Sequence, residues 1–222
     1  MVEAKKRAAE AAVEFVEDGF VVGVGSGTTV SLILSALAAA GKRVVIIPAS
    51  WQSRFEAIEA GLTVSSLDQH PFPDVYLDSF DQVTREGVMI KGGGGAMLRE
   101  KVLASASRKR VFLGDQSKLV EKLSRPVPLE IIPFAYKLVE NKLKEKGVKL
   151  VTRTSPAKNG PTISDNGNFL ADADFGQIDE PAQVENFLRK IPGVVETGIF
   201  IGYIDTLIIA YADGMVERLN FG

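Results

Sequence analysis

The residues able to do chemistry in this chain gather in four short stretches. The first is Ile90-Lys91-Gly92-Gly93-Gly94-Gly95-Ala96, trailed by Arg99-Glu100-Lys101. Consecutive glycines are costly, because glycine loses more freedom on folding than any other residue. So bare a backbone suits a ligand that must touch main-chain N–H groups. With Lys91 before the run and Glu100 after it, the stretch offers a cation, a row of donors and a carboxylate. That set fits an anionic substrate undergoing proton transfer. Taken alone, Glu100 reads equally well as a helix-surface acid paired with a nearby lysine.

The second stretch is Gly23-Val24-Gly25-Ser26-Gly27-Thr28-Thr29, between a strand-like and a helix-like run. Backbone N–H groups at a helix N-terminus, joined by small hydroxyls, cradle phosphate. The dinucleotide fingerprint fails, because counting G-x-G-x-x-G from Gly23 puts Thr28 at the third glycine. Pro48-Ala49-Ser50, at the end of the next strand, also lacks the acid that would hold a ribose. The Walker pattern is absent too, which leaves a single phosphate monoester as the better ligand. An unliganded strand-to-helix turn is the plain alternative.

The third stretch, Tyr76-Leu77-Asp78-Ser79-Phe80-Asp81-Gln82, sets two carboxylates three residues apart at the carboxyl end of a strand. In open α/β sheets ligands bind there, and such acids can bond sugar hydroxyls and move protons. Aspartate is also the ordinary residue of solvated turns. The fourth stretch, Gly114-Asp115-Gln116-Ser117-Lys118, adds a lysine near another strand end and is the least specific. All four stretches are expected at the carboxyl ends of strands in one sheet.

The elements that must position these residues follow from periodicity. Helical spacing runs from Val2 to Val16, and Asp18-Gly19 ends it. Phe20–Val24 and Arg43–Pro48 read as strands, each followed by a helix, to Ala40 and over Trp51–Ala60. Strands follow near Leu62–Val64, Asp74–Leu77 and Val88–Ile90, then a helix over Ala96–Ala106 and a strand at Arg110–Gly114. This alternation predicts an open, mostly parallel α/β sheet of Rossmann-like kind. After Ser124-Arg125-Pro126 the rhythm changes to strand Val127–Ile132, helix Phe134–Lys146, and strands Val148–Thr154 and Asn168–Ala173. A helix Glu180–Lys190, with Asp179 as N-cap, and a strand Val194–Ile201 complete it. The order β-α-β-β-α-β is that of an α+β ferredoxin-like module, here inserted in the first domain. Thr206–Tyr211 and Met215–Leu219 read as a hairpin returning to that domain. The expected domains are therefore 1–126 with 203–222, and 127–202.

Composition removes several classes of function. Over 222 residues, 26 basic and 28 acidic side chains leave a formal net charge of −2. No basic field exists for nucleic acid or an anionic membrane, so any anion must be met locally. The chain has no cysteine, which excludes disulfides and thiolate catalysis and fits a reducing cytoplasm. His70 is the only histidine and reads as a solvated loop residue, so neither a histidine triad nor a multi-histidine metal site can form within one chain. Met1–Phe15 lacks the apolar core of a secretory leader, and no run is long enough to span a membrane.

Over essentially its whole length the sequence resembles the type A ribose-5-phosphate isomerases. The match is carried by Gly23–Thr29, by Ile90–Ala96 with Arg99–Lys101, and by Asp115–Lys118. Pro128–Phe134, Asp165-Asn166-Gly167-Asn168 and Pro192–Gly198 extend it. The resemblance implies a Rossmann-like domain with an inserted ferredoxin-like one, and interconversion of ribose 5-phosphate and ribulose 5-phosphate with no cofactor and no metal. It implies Glu100 as general base, with Asp78, Asp81 and Lys91 as catalytic partners that help open the ring and handle the sugar oxygens. Ser26, Gly27, Thr28, Thr29, Ser79, Phe80, Gly92, Gly93, Gly94 and Lys118 would line the substrate, and Lys5 would reach its phosphate. A cytoplasmic homodimer or homotetramer is implied, with a small phosphosugar as its partner and no nucleic acid or membrane. One loop departs: the family reads Asp-Gly-Ala-Asp-Glu where this chain has Asp78-Ser79-Phe80-Asp81-Gln82. Strain at Ser79 is expected if the family's glycine needs positive φ, and Phe80 is expected to narrow the sugar pocket. The loop leaves two other readings, a non-catalytic phosphosugar sensor and an isomerase of a different phosphosugar.

Overall fold

The computed structural model describes residues 2–221, leaving aside the side chain of Lys158. In chain order, α1 (Val2–Val13) leads to β1 (Val21–Val24), α2 (Thr28–Ala39), β2 (Val45–Pro48), α3 (Trp51–Glu59), β3 (Thr63–Val64) and β4 (Val75–Asp78). Short strands β5 (Gln82–Val83) and β6 (Met89–Ile90) precede α4 (Met97–Ala106) and β7 (Lys109–Asp115). Then come β8 (Val127–Ile131), α5 (Tyr136–Lys144), β9 (Lys149–Thr152), β10 (Thr154–Ser155), β11 (Lys158–Pro161), β12 (Phe169–Asp174), α6 (Pro181–Arg189) and β13 (Val194–Thr197). The chain closes with β14 (Ile199–Phe200), β15 (Thr206–Ala210) and β16 (Val216–Asn220). Among the described residues no helix is long and apolar enough to cross a membrane.

Two compact units divide these elements: Met1–Phe80, Arg99–Leu119 and Gly202–Gly222 form one, Asp81–Leu98 and Val120–Ile201 the other. Residues 81–98 and 120–126 pack with the second unit, whereas the boundary read from sequence leaves them with the first. The physical cause is strand pairing, because β5 and β6 join β14 rather than the large sheet.

The first unit is built on a seven-stranded sheet ordered β16-β15-β7-β4-β1-β2-β3, parallel except for β16. Its inner strands are buried, so they read as continuous apolar runs rather than alternating ones. Ala8 and Ala12 of α1 and Ile33, Leu34 and Leu37 of α2 share a core with Val22, Val24, Leu77, Val111 and Ile208. From β1 the chain moves outward to β2 and β3, then returns to place β4 on β1's other side. That reversal makes the carboxyl ends of β1 and β4 a topological switch point, where such sheets bind ligands.

The second unit carries an antiparallel sheet ordered β13-β8-β12-β9, the ferredoxin-like arrangement expected from the sequence. Val139 and Leu143 of α5 and Leu188 of α6 share its core with Leu129, Ile131 and Ala171. Three local expectations change. Asp179 does not cap α6; Lys122 draws its carboxylate into an ion pair at 2.6 Å, and Glu180 takes the N-cap position. The strand expected over 194–201 breaks at Gly198, and its second half, β14, pairs with β6. β6 itself lies in a three-stranded sheet, β14-β6-β5. The glycine run therefore follows a strand outside the large sheet, and only three of the four chemical stretches end strands of that sheet.

Candidate active site

In the first unit the site grows from the end of β1. The strand's pairing continues past Val24, with Gly25 N–H donating to Leu77 O at 3.1 Å. A Cβ on Gly25 would lie 2.0 Å from the Asp78 carboxylate, so this turn exists only because that Cα is bare. Gly27, at φ +102, then caps α2 with no side-chain hydrogen bond. The first-turn N–H groups of α2 keep their partial positive charge, and no acid occupies that turn. An anion is favoured there. Beside it the hydroxyls of Ser26 and Ser50 bond at 2.9 Å, and Ser50 in turn bonds Ser53 in the capping box of α3. Thr29 is buried and Thr28 exposed.

β4 ends on Asp78, which is fully buried. Its carboxylate accepts from Tyr76 Oη at 2.5 Å and from Ser79 N–H at 2.6 Å. Burial chiefly, then the charges of Asp78 and Glu100, push the Tyr76 phenol well above its ordinary range. Tyr76 and Leu103, one turn on from Glu100 in α4, both lie against the bare Cα of Gly23, so α4 packs beside this tyrosine. Glu100 stands in the first turn of α4, where the helix dipole favours a carboxylate, and it is only 3% exposed.

Lys118 closes this half of the site. Its ammonium donates to Phe80 O at 2.6 Å and to Ser79 Oγ at 3.1 Å. Asp115 caps the short turn that carries Lys118, accepting from the backbone N–H and hydroxyl of Ser117. Burial would raise the Asp115 pKa, but these bonds, with the charges of Lys118 and Lys5, outweigh it and hold the carboxyl below its usual range. Lys5 thus belongs to the same electrostatic cluster. Ser79 carries no strain, since no residue other than glycine has positive φ among the described residues. Phe80 is buried, its ring on the bare backbone of Gly114, where a Cβ would come within 2.8 Å of Cζ. Lys118 also meets the ring, its Nζ 5.7 Å from the centroid.

The second unit holds Asp81, Lys91 and the glycines. Lys91 is buried, with its Nζ 5.6 Å from the centroid of the Phe200 ring, a cation–π distance. Lys91 N–H donates to Gly198 O at 2.8 Å, and a Cβ on Gly198 would meet Lys91 O at 2.2 Å. Gly93 N–H donates to Asp81 Oδ2 at 2.7 Å, and a Cβ on Gly93 would approach Asp81 Oδ1 to 2.8 Å. The carboxylate therefore lies against naked backbone. Gly93 and Gly94 are exposed. A cavity of about 480 Å³ in this unit is lined by Asp81, Gly93, Arg125, Lys149, Arg153 and Asp172, among others. Among the described residues no group of three or more His, Asp or Glu is placed to hold a metal ion.

The structure thus gathers Tyr76, Asp78, Glu100, Ser79, Lys118 and Lys5 in one unit, and Asp81, Lys91 and Gly92–Gly94 in the other. Two residues next to these went unread in the sequence. Tyr76 had a usable signal, since it stands two residues before Asp78 on one strand and so shares its face. Arg153, which donates to Gly92 O, had none.

Comparison with known proteins bears on the arrangement. The family model for ribose 5-phosphate isomerase A (phosphoriboisomerase A) matches residues 45–214. The ribose-5-phosphate isomerase A of Archaeoglobus fulgidus is 46% identical over 212 residues, covering 93% of this chain and 94% of its own. That of Methanothermobacter thermautotrophicus is 43% identical over 216 residues, covering 95% of each. A solved D-ribose-5-phosphate isomerase in complex with phospho-erythronic acid superposes with a TM-score of 0.94 at 38% identity, over 99% of this chain and 98% of that one. The isomerase structure from Methanocaldococcus jannaschii gives 0.92 at 35% identity, over 99% of each chain.

Proposed function

Because this chain belongs to the ribose 5-phosphate isomerase A family, we propose that it interconverts D-ribose 5-phosphate and D-ribulose 5-phosphate through an enediolate. One observation carries the reading: a buried carboxylate, Glu100, stands in the first turn of a helix packed beside Tyr76, whose partner Asp78 abuts the turn into the α2 N-terminus. The phosphate rests on the Ser26–Thr29 turn, with Lys5 adding charge, and its binding energy orients the reacting carbons. Asp78, Asp81 and Lys91 help open the furanose and hold the sugar oxygens, and Lys118 with Ser79 and Phe80 fixes their loop. Glu100 takes the proton from C2 and returns it to C1. Lys91 and the N–H groups of Gly92 and Gly94 stabilise the oxyanion, each such donor being worth about 2.7–4 kcal/mol in measured cases, while the Gly93 N–H holds Asp81. The relative in complex with phospho-erythronic acid supports a site for a phosphorylated, polyhydroxylated carbon chain. A cytoplasmic homodimer or homotetramer working without metal or organic cofactor completes the reading.

Glu100→Gln tests it. General-base catalysis contributes about 10²–10⁴-fold, so kcat is expected to fall by that order while phosphosugar binding, measured by calorimetry, persists. Wild-type protein in deuterated water should place solvent deuterium on the reacting carbon. Full turnover by the Gln variant would remove Glu100 from the role, and binding without turnover by the wild type would favour a sensor.

A further inference from the structure

Two carbonyls of the glycine run are held by one guanidinium. Arg153 sits between β9 and β10, and its own backbone is fixed on both sides, N–H to Leu170 O at 2.9 Å and carbonyl from Thr162 N–H at 2.8 Å. Its guanidinium grips Asp172 of β12 through Nε at 2.8 Å and Nη2 at 2.6 Å. The remaining nitrogen, Nη1, donates to Gly92 O at 2.8 Å and Gly93 O at 3.1 Å. These groups all lie in the second unit.

In a trans peptide the C=O and N–H point in opposite directions. The Gly92–Gly93 peptide shows the consequence: its oxygen faces Arg153 and its N–H meets Asp81 Oδ2 at 2.7 Å. The Gly93–Gly94 peptide also turns its oxygen to Arg153, so Gly94 N–H is directed away from the guanidinium. Glycine visits both signs of φ with little penalty. The Gly92–Gly93 peptide is also held by Gly95 N–H, which donates to Gly92 O at 2.9 Å, so the Gly93–Gly94 peptide leans most on the guanidinium. We propose that Arg153 is a positioning residue: by tethering these two carbonyls it keeps the Gly94 N–H turned toward the substrate side, while the Gly93 N–H holds Asp81. Asp172 orients the planar fork of the guanidinium, a bidentate geometry that a lysine cannot reproduce. The proposal rests on the isomerase reading for the word substrate, and on geometry alone for the tether.

The experiment compares Arg153→Ala, Arg153→Lys and Asp172→Asn with wild type. A donor misplaced by about 1 Å costs up to about 10²-fold in rate, so Arg153→Ala should lower kcat by roughly 10–100-fold. Its KM for ribose 5-phosphate should stay within about threefold, the pattern of an interaction made in the transition state. Added guanidinium ion should restore part of that kcat and leave wild type unchanged. Arg153→Lys should recover little, and Asp172→Asn, which keeps the arginine, should lose less. Hydrogen exchange at 92–95 should accelerate in Arg153→Ala while the sheet of β8 and β12 keeps its protection. Wild-type kcat in Arg153→Ala, or a loss confined to KM, overturns the proposal, the latter by making Arg153 a direct substrate contact. Should wild type itself fail to isomerise ribose 5-phosphate, the isomerase reading falls, and the exchange experiment still decides the tether: unchanged exchange at 92–95 refutes it. If Arg153→Ala does not fold, Asp172→Asn carries the same two readouts.

Discussion

Gly25→Ala puts the contact between the β1 turn and Asp78 to a quantitative test. The added methyl would lie 2.0 Å from Cγ and Oδ1 of Asp78 and 2.2 Å from Oδ2, more than an ångström inside contact distance. Gly25 lacks a positive φ, so the cost comes from this overlap and not from backbone conformation. Moving the carboxylate breaks its bonds from Tyr76 Oη at 2.5 Å and Ser79 N–H at 2.6 Å. Hydrogen bonds to a charged group are worth about 1.5–3 kcal/mol each, which gives roughly 3–6 kcal/mol in total. In a protein of this size 1 kcal/mol moves Tm by about 2–4 °C, so the expected fall is roughly 6–24 °C. Displacing Asp78 by about 1 Å also predicts a loss near 10²-fold in kcat. Gly19→Ala is the control, since Gly19 has φ +87 and open space around its Cα. It should lose about 1–2 kcal/mol to left-handed strain and keep its activity. Thermal unfolding followed by circular dichroism and an initial-rate assay read both variants. If Gly25→Ala melts and turns over as Gly19→Ala does, Asp78 does not pack on that turn and the argument fails.

Two further outcomes follow from buried polar groups. Burial, aided by the charges of Asp78 and Glu100, keeps the Tyr76 phenol protonated in the folded chain, whereas the unfolded chain loses that proton near pH 10. Above about pH 10 the unfolded state binds fewer protons, so stability should decline by up to about 1.4 kcal/mol per pH unit, and Tyr76→Phe should remove that part of the slope. The variant should also lose about 1.5–3 kcal/mol at neutral pH, and urea titrations giving identical pH slopes for both proteins would contradict the assignment. Glu130 is fully buried on β8, and its Oε1 accepts from Ser164 Oγ at 2.7 Å, Asn168 Nδ2 at 2.8 Å and Asn166 Nδ2 at 3.0 Å. Glu130→Ala should cost about 3 kcal/mol or more and loosen the 164–168 turn, seen as faster hydrogen exchange there; a stability change under 1 kcal/mol would count against that network.

The large sheet was legible because its inner strands are short apolar runs set between turn residues such as Gly19, Gly25 and Asp74, with helix-like runs between them. Those signals are local. What escaped depends on partners distant in sequence. Met89–Ile90 is as apolar as any core strand, yet its neighbours are Gln82–Val83 and Ile199–Phe200, a pairing no periodicity announces. Gly198 marks the break in the last strand, but its meaning is the Lys91 carbonyl 2.2 Å from its missing Cβ. Asp179 has the residue type and spacing of a cap, and loses the role to Lys122, 57 positions away. Residue types near strand ends drew attention to Asp78, Asp81 and Lys91, whereas Arg153 lies between β9 and β10 and bonds carbonyls that carry no side-chain signal.

The loop that departs from the family pattern is internally compensated. Ser79 needs no positive φ and uses its backbone N–H to bind Asp78. Phe80 fills the space that a side chain at 114 would take, and Lys118 ties its carbonyl at 2.6 Å. Burying a phenylalanine is worth about 1.5–3 kcal/mol, so this exchange of a small residue for an aromatic one stabilises the loop. Gln82 accepts the N–H groups of Ser124 and Arg125, both at 2.9 Å, and donates to Ser124 Oγ at 3.1 Å, a donation a glutamate could not make. Each replacement brings a partner that holds the backbone around the two aspartates. A fully buried carboxylate needs such bonds in any folded chain, so the replacements leave Asp78 satisfied and Asp81 seated against the Gly93 peptide, the positions that the proposed isomerisation requires.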